Sequence, residues 1–140
     1  MKILVCGGRA FHDYAALEAI LSTYPACTHI VHGGATGADT LAERYAKARA
    51  LNVTTFPAHW RDLTAPGAVV KYQRNGTPYN AAAGAARNRR MLDTSMPDLV
   101  VAFPGGTGTQ DMTRYARKQG YTVRIVTEDE IAQLHAARSA

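Results

Sequence analysis

Short apolar runs alternate with helical patterns along the chain. Residues 3–6, 29–32 and 99–102 are mainly apolar, as strands buried on both faces of a parallel sheet are. Residues 53–56 and 121–126 mix polar side chains with apolar ones, which is typical of edge strands. The pattern therefore predicts five strands, two of them at the edges of a sheet.

Helices are predicted between these strands. Asp13 is a suitable N-cap for the first helix, and Gly120 is a suitable stop for the fourth. Thr127 and Glu130 form a capping box that begins a short last helix. The first four helices are predicted, in chain order, at about residues 13–24, 39–50, 84–92 and 112–119.

This order of elements predicts an α/β fold. Strands that alternate with helices form a mainly parallel sheet covered on both faces, and their crossovers are right-handed. We predict one Rossmann-like three-layer sandwich over residues 1–140, with a five-stranded sheet in the order 3-2-1-4-5. Strands one and four are then neighbours where the winding reverses, and ligands of such folds bind there, beyond the carboxyl ends of the strands.

Three glycine-rich loops follow strands one, two and four, and all of them are expected at that edge. Small residues leave room for a ligand, and a helix N-terminus offers free N–H groups and a positive dipole end to an anion. The alternative is that each loop is only a tight turn without a ligand. Three such loops at the same edge are harder to explain in that way. The candidate phosphate-binding residues are Gly7, Gly8, Arg9, Gly33, Gly34, Thr36, Gly37, Gly105, Gly106, Thr107, Gly108 and Thr109.

Charged residues near the loops are the candidates for chemistry. Arg87 and Arg89 lie in the third helix and suit a phosphate, to which a guanidinium donates paired hydrogen bonds; a solvated basic face is the alternative. Asp39 and Asp111 are predicted in the first turns of the helices after their loops. There they bind ribose, act in acid–base catalysis, or only stabilise the helix N-terminus. His32, at the end of strand two, is better explained as a hydrogen-bonded structural residue than as a site residue.

Residues 57–83 interrupt the alternation and show no clear period. Loops of this length inside compact domains are commonly functional. We therefore predict a mobile flap insertion over the site, with a short helix near residues 67–72. Trp60, Tyr72 and Tyr79 in this flap are candidates for stacking on a nucleobase, and packing is the alternative for each.

Composition narrows the function classes. No apolar run approaches the roughly 20 residues of a membrane span, and the first five residues enter a strand directly, so neither a membrane partner nor a signal peptide is predicted. Cys6 and Cys27 are predicted to be reduced, in a cytoplasmic protein. The net charge of +5 favours anionic partners without choosing between nucleotide and nucleic acid. A dinucleotide fingerprint, a Walker lysine and metal-ligand spacing are all missing, so no cofactor and no metal are predicted.

Four motifs, in this order, resemble the SLOG superfamily, whose Rossmann-like members include the DprA and LOG families. The similarity is greatest to its YspA-type, cpYpsA-related branch and covers most of the chain. The motifs are Val5-Cys6-Gly7-Gly8-Arg9, Val31-His32-Gly33-Gly34-Ala35-Thr36-Gly37-Ala38-Asp39, Arg87-Asn88-Arg89-Arg90-Met91 and Pro104-Gly105-Gly106-Thr107-Gly108-Thr109-Gln110-Asp111-Met112.

The resemblance implies a nucleotide or nucleotide-derived ligand. LOG enzymes hydrolyse the N-glycosidic bond of nucleoside 5′-monophosphates, and their signature has a glutamate three residues after the Gly-Thr of the loop. That position is Met112 here, and Asp111 lies one residue earlier, about 100° away around a helix. If the protein is a LOG-like phosphoribohydrolase, Asp111 and Asp39 are its candidate catalytic residues.

Three functions remain open at this point. The leading hypothesis is a nucleotide-binding protein that acts as a sensor or processes the nucleotide. The second is DprA-like binding of nucleic acid, and the third is an interaction protein with a vestigial site. The resemblance also implies a homodimer or a higher homo-oligomer, formed through the third and fourth helices.

Overall fold

The chain folds into an α/β sandwich, as predicted. A computed structural model describes residues 1–139 of the protein. The strands are β1 (Lys2–Cys6), β2 (His29–His32), β3 (Asn52–Thr55), β4 (Val70–Tyr72), β5 (Pro78–Asn80), β6 (Leu99–Ala102) and β7 (Val123–Ile125). The helices are α1 (Tyr14–Leu21), α2 (Ala38–Ala48), α3 (Ala83–Ser95), α4 (Thr107–Lys118) and α5 (Glu128–Ser139).

The main sheet has five parallel strands in the order β3-β2-β1-β6-β7. This is the predicted order 3-2-1-4-5 once the two short strands of a separate hairpin are set aside. In the centre, Leu4 of β1 lies opposite Val31 of β2 and Val100 of β6. The winding therefore reverses between β1 and β6, and their carboxyl ends border the expected ligand position.

Alternating side chains of β1 pack against two different helix layers. Ile3 and Val5 belong to a buried cluster with α1 and α2, and Ile131 of α5 packs against the same cluster. Leu4 and Cys6 point to the opposite face, into a cluster with α3 and α4. Both faces of the sheet are thus covered, which explains why residues 3–6 of β1 and all of β6 are apolar.

Helix α4 begins earlier than the sequence pattern indicates. The sequence predicts a loop up to Asp111 and a helix from Met112, but α4 starts at Thr107 and its first internal hydrogen bond joins Gln110 N–H to Gly106 O at 3.0 Å. Glycine and threonine are poor helix formers, so their local preference concealed this turn. Asp111 therefore lies in the second turn of α4, and its predicted position in the first turn is wrong.

The flap contains a β-hairpin where the sequence predicted a short helix. Strands β4 and β5 pair antiparallel, with Lys71 opposite Tyr79. Gly76 has a φ of +84°, and Asn75 Oδ1 accepts a hydrogen bond from Thr77 N–H at 2.9 Å. Asn-Gly is a strong hairpin signal, but the flanking strands are only three residues long, which is too short for an alternating pattern to show in the sequence.

Candidate functional site

The three glycine-rich segments meet at the carboxyl edge of the sheet, as predicted. Gly8 N–H donates to Pro104 O at 2.9 Å, and Gly8 O accepts from Ala38 N–H at 3.2 Å. The loop after β1 is therefore held between the loop after β6 and the start of α2. These contacts fix the relative positions of the groups described below.

Gly37 and Gly105 are required by this close packing. Gly37 has a φ of +82°, and a Cβ atom there would lie 2.5 Å from Arg9 O and clash with Gly8 O as well. A Cβ atom on Gly105 would lie 2.6 Å from the amide nitrogen of Gly8. Neither glycine lines the main cavity. Their contacts therefore assign them a role in loop packing.

The β2–α2 loop (residues 33–37) is filled by a carboxylate of the protein itself. Asp39 Oδ2 accepts hydrogen bonds from Gly33 N–H at 3.2 Å and from Ala35 N–H at 3.1 Å. Asp39 is only 6% exposed, and this burial raises the pKa of its carboxyl. The N–H groups of Gly33, Gly34 and Ala35 thus have acceptors within the protein, since Gly34 N–H donates to His32 Nδ1.

Arg87 joins α3 to this loop. One nitrogen of its guanidinium, Nη1, donates to Gly33 O at 2.6 Å and to Phe56 O at 3.3 Å, and Nε donates to Asn88 Oδ1 at 3.0 Å. Burial lowers the pKa of Arg87, and the nearby carboxylate of Asp39 opposes that shift. Arg87 lines the main cavity, but much of its hydrogen-bonding capacity is used to hold β2 and α3 together.

His32 has a structural role. Its Nδ1 accepts a hydrogen bond from Gly34 N–H at 3.0 Å, so the proton of the neutral ring is on Nε2. That nitrogen lies 3.2 Å from Glu43 Oε1 and 3.4 Å from Thr55 Oγ1. Because both ring nitrogens have partners and the residue is buried, the role of His32 is to hold the β2–α2 loop in place through Gly34.

The α4 N-terminus (residues 106–109) differs from the β2–α2 loop because it is open. No residue among 1–139 accepts a hydrogen bond from the N–H groups of Thr107, Gly108 or Thr109, and the N-cap Gly106 has no side chain to do so. A Cβ atom at Gly106 or Gly108 would meet nothing within 4 Å. The first turn of α4 thus presents free donors and free space to the cavity.

These groups surround a cavity of about 510 Å³ where the three loops meet, which we call the main cavity. This volume lies within the range of ligand pockets in proteins. The predicted site residues that line the cavity are Gly7, Gly8, Arg9, Gly33, Asp39, Arg87, Gly106, Thr107, Gly108, Thr109 and Asp111. Gly34 and Thr36 line a smaller adjoining space of about 280 Å³, together with Arg9 and Arg87.

Asp111 stands at the wall between α3 and α4. Its Oδ2 accepts hydrogen bonds from Asn88 Nδ2 at 3.0 Å and from Arg89 Nη1 at 3.4 Å. Asn88 is buried and lines the cavity, and sequence reasoning did not select it although it stands inside the Arg87–Arg90 motif. Met112, the position of the LOG glutamate, is buried in the cluster below α4 and reaches the cavity floor.

Arg89 lies outside the main cavity. Its guanidinium stacks over the Tyr115 ring, 4.9 Å from the ring centroid, on the exposed side of α3 and α4. Arg87 and Arg89 are two residues apart on α3, which rotates their side chains about 200° from each other. The two arginines predicted to bind phosphate therefore lie on different sides of α3. Arg89 is linked to the main cavity through its hydrogen bond to Asp111, which lines it.

Arg9 and Trp60 form the outer side of the cavity. The Arg9 guanidinium lies 5.5 Å from the centre of the Trp60 ring, and Trp60 packs against Gly84 near the start of α3. Tyr79 borders a neighbouring groove, and Tyr72 is 69% exposed. Of the three predicted stacking residues, only Trp60 reaches the main cavity.

Within residues 1–139, no cluster of three potential metal ligands is present. In the same range, no helix has the length and apolar character needed to cross a membrane.

The fold and the loops at its carboxyl edge define a Rossmann-like protein of the SLOG class. A model described as "YspA, cpYpsA-related SLOG family" matches residues 1–62. The Gene 61 protein of Mycobacterium phage D29 is 32% identical over 131 residues, which cover 87% of this chain and 93% of that protein. The chain belongs to the YspA, cpYpsA-related SLOG family, and the predicted family is confirmed.

Two solved structures share the fold at lower sequence identity. The X-ray structure of TM1055 is 17% identical with a TM-score of 0.58, over 87% of this chain and 71% of that one. The X-ray structure of DNA processing protein A (DprA) from Streptococcus pneumoniae is 18% identical with a TM-score of 0.53, over 94% of this chain and 60% of that one. Both support the Rossmann-like architecture.

Proposed function

We propose that the protein binds a nucleotide or nucleotide-derived ligand in the main cavity, with a phosphate at the α4 N-terminus. The observation that carries this proposal is that the N–H groups of Thr107, Gly108 and Thr109 have no acceptor among residues 1–139. The missing side chains of Gly106 and Gly108 leave open space beside them. A helix N-terminus with free donors binds phosphate well, because hydrogen bonds and the helix dipole act together.

Arg9 supplies the positive charge for this phosphate. It lines the cavity and forms no ion pair with a carboxylate of residues 1–139. Arg87 also lines the cavity and adds positive charge, although most of its donors are engaged. The prediction that Arg89 binds the phosphate directly is replaced by the proposal that Arg89 holds Asp111 in place.

The rest of the cavity suits the nucleoside. Trp60 offers a flat apolar surface to a base. Asp111 lines the cavity and only its Oδ2 is engaged with the protein, so its other oxygen is available to a ribose hydroxyl. Asp39 is less suited to this contact, because its carboxylate is buried and holds the β2–α2 loop.

If the protein is an enzyme, we propose hydrolysis of the N-glycosidic bond of a nucleoside 5′-phosphate. Water would add to the ribose C1′ atom while the C1′–N bond breaks and the base leaves with a proton. Asp111 would stabilise the positive charge that develops at C1′ or accept a proton from the water. If the protein only binds its ligand, the same site serves a sensor.

A thermal-shift panel tests the binding proposal. It compares AMP, GMP, CMP, ADP-ribose, NAD, cyclic nucleotides and a short single-stranded DNA. A ligand at about 100 times its Kd adds roughly 2.7 kcal/mol to the free energy of unfolding. We expect a shift of several degrees for one nucleotide class, whereas a shift with DNA alone would favour DprA-like binding and no shift at all would favour an interaction protein.

Release of base by the unmodified protein separates sensor from enzyme, and Asp111→Asn tests the catalytic role of Asp111. For each nucleotide that binds, chromatography measures the released base. We expect the variant to keep ligand binding and to lose any release of base that the unmodified protein shows. Full turnover by the variant would exclude Asp111 from catalysis.

Homodimerisation through α3 and α4 and a cytoplasmic location stay predictions. Size-exclusion chromatography with light scattering measures the first, and the exposed Arg89–Tyr115 surface is the region to alter if a dimer is found.

A further inference from the structure

A second cavity adjoins the main one beneath the β4–β5 hairpin. Its volume is about 800 Å³, and it shares Arg9, Trp60 and Ala81 with the main cavity. The two spaces are therefore neighbours along a common wall. Each of them is large enough for one ligand-sized unit.

This hairpin groove is positively charged. Arg61 and Lys71 line it in addition to Arg9, and no carboxylate is among its lining residues. None of these three cations forms an ion pair with a carboxylate of residues 1–139. Cations that gather around a cavity without a negative partner create a positive potential there, which favours an anionic group.

The hairpin is fixed to the rest of the site by one buried residue. Asn80 N–H donates to Trp60 O at 2.6 Å, and Asn80 Oδ1 accepts from Val69 N–H at 3.1 Å and Ala82 N–H at 3.0 Å. Ala81 N–H also donates to Val69 O at 2.7 Å. The backbone around the groove is therefore a defined part of the fold, joined to Trp60 and to the start of α3.

We propose that this hairpin groove binds a second phosphate-bearing unit of the ligand. The ligand class is then a small dinucleotide-type molecule, with one phosphate at the α4 N-terminus and another beside Arg61 and Lys71. Arg9 lines both cavities and would lie between the two phosphates. The proposal rests on the proposed nucleotide function and extends it. Two adjoining cavities with separate anion-binding groups accommodate two units, whereas a mononucleotide leaves the hairpin groove unused.

The test compares mononucleotides with dinucleotides on matched variants. Isothermal titration calorimetry measures the Kd of each of the four 5′-mononucleotides and of the corresponding 5′-phosphorylated homodinucleotide. The double variant Arg61→Gln/Lys71→Gln removes the groove cations. Arg74→Gln is the control, since Arg74 is an exposed cation of the same hairpin that does not line the groove.

We expect the dinucleotide to bind at least about tenfold more tightly than its mononucleotide, as removal of a charged hydrogen-bond partner commonly costs that much. The double variant loses this advantage and keeps its mononucleotide affinity, and Arg74→Gln keeps both. Equal affinity for the two ligands, or an equal loss in Arg74→Gln, overturns the groove proposal while leaving mononucleotide binding intact.

Two further outcomes have separate meanings. If neither ligand binds the unmodified protein, the proposed function fails together with the groove. If affinity continues to rise steeply from the dinucleotide to a twelve-nucleotide single strand of DNA, the groove is part of a nucleic-acid track, and the small dinucleotide class is wrong.

Discussion

The β2–α2 loop and the α4 N-terminus share a sequence pattern but differ in the hydrogen bonding of their N–H groups. Each begins with Gly-Gly and has an aspartate at the same spacing, at Asp39 and at Asp111. In the first, the carboxylate of Asp39 accepts hydrogen bonds from Gly33 N–H and Ala35 N–H. In the second, Asp111 accepts from Asn88 and Arg89, and the first N–H groups of α4 have no acceptor among residues 1–139.

The point at which the helix begins explains the difference. Helix α2 starts at Ala38, so Asp39 lies in its first turn and its side chain folds back over the loop. Helix α4 starts at Thr107, so Asp111 lies one turn further along and is too distant to cap it. A shared motif therefore gives one loop that binds a carboxylate of the protein itself and one helix start whose first N–H groups have no acceptor among residues 1–139.

The largest expected effect comes from Gly37→Ala. Alanine at this position would have to adopt a positive φ of about 82°, and its Cβ atom would collide with the backbone of Gly8 and Arg9. We expect a loss of at least about 3 kcal/mol, or roughly 10 °C in the melting temperature. Thermal unfolding followed by circular dichroism measures it.

Gly108→Ala is the matched control for this prediction. A Cβ atom there meets nothing within 4 Å, and alanine is a better helix former than glycine by about 1 kcal/mol. The control should therefore be as stable as the unmodified protein or slightly more stable. If both variants unfold at similar temperatures, Gly37 is not tightly packed against Gly8 and Arg9 while Gly108 is open, and this account of the two segments is wrong.

The next effect is expected from Asp39→Ala, which empties the β2–α2 loop. Two N–H groups lose their acceptor and Arg87 loses its neighbouring negative charge, so we expect a loss of about 2–3 kcal/mol. Inorganic phosphate should restore part of that stability, because it can replace the missing carboxylate. Urea unfolding with and without phosphate measures both effects, and equal stabilisation of the variant and the unmodified protein by phosphate would contradict the idea.

The smallest effect is a pH dependence that Asp39 causes. Burial raises its pKa in the folded state above the ordinary value of about 3.9. Above that ordinary value the unfolded chain has released a proton that the folded chain still holds, so the contribution of Asp39 to stability falls as the pH rises through the raised pKa. Relative to Asp39→Asn, which does not titrate, the unmodified protein should lose stability from about pH 4 upward. A constant difference in urea unfolding across this range would contradict the raised pKa.

Much of the fold follows from local patterns. Residues 3–6 and 99–102 are apolar at every position, which predicts buried central strands, and Asp13 caps α1 as expected by accepting from Ala16 N–H at 3.0 Å. The start of α4 could not be predicted in this way, because packing of Met112 and Ala116 against the sheet outweighs the poor helix propensity of Thr107 and Gly108.

The site was predicted in its position and less well in its details. The sheet order places the three loops at one edge, and that geometry follows from topology alone. Whether a carboxylate of the protein reaches the loop N–H groups depends on side-chain directions, so the sequence could not show that Asp39 accepts from Gly33 and Ala35. The opposite directions of Arg87 and Arg89 follow from helical spacing and were available to sequence reasoning.

Amide chemical shifts of the ¹⁵N-labelled protein, recorded during titration with the mononucleotide that stabilises it most, compare the two loops most directly. We expect the largest changes at Thr107, Gly108 and Thr109, and small changes at Gly33 and Ala35. Changes concentrated at Gly33 and Ala35, with α4 unaffected, would show that the ligand displaces Asp39 and would contradict the assignment of the phosphate to α4.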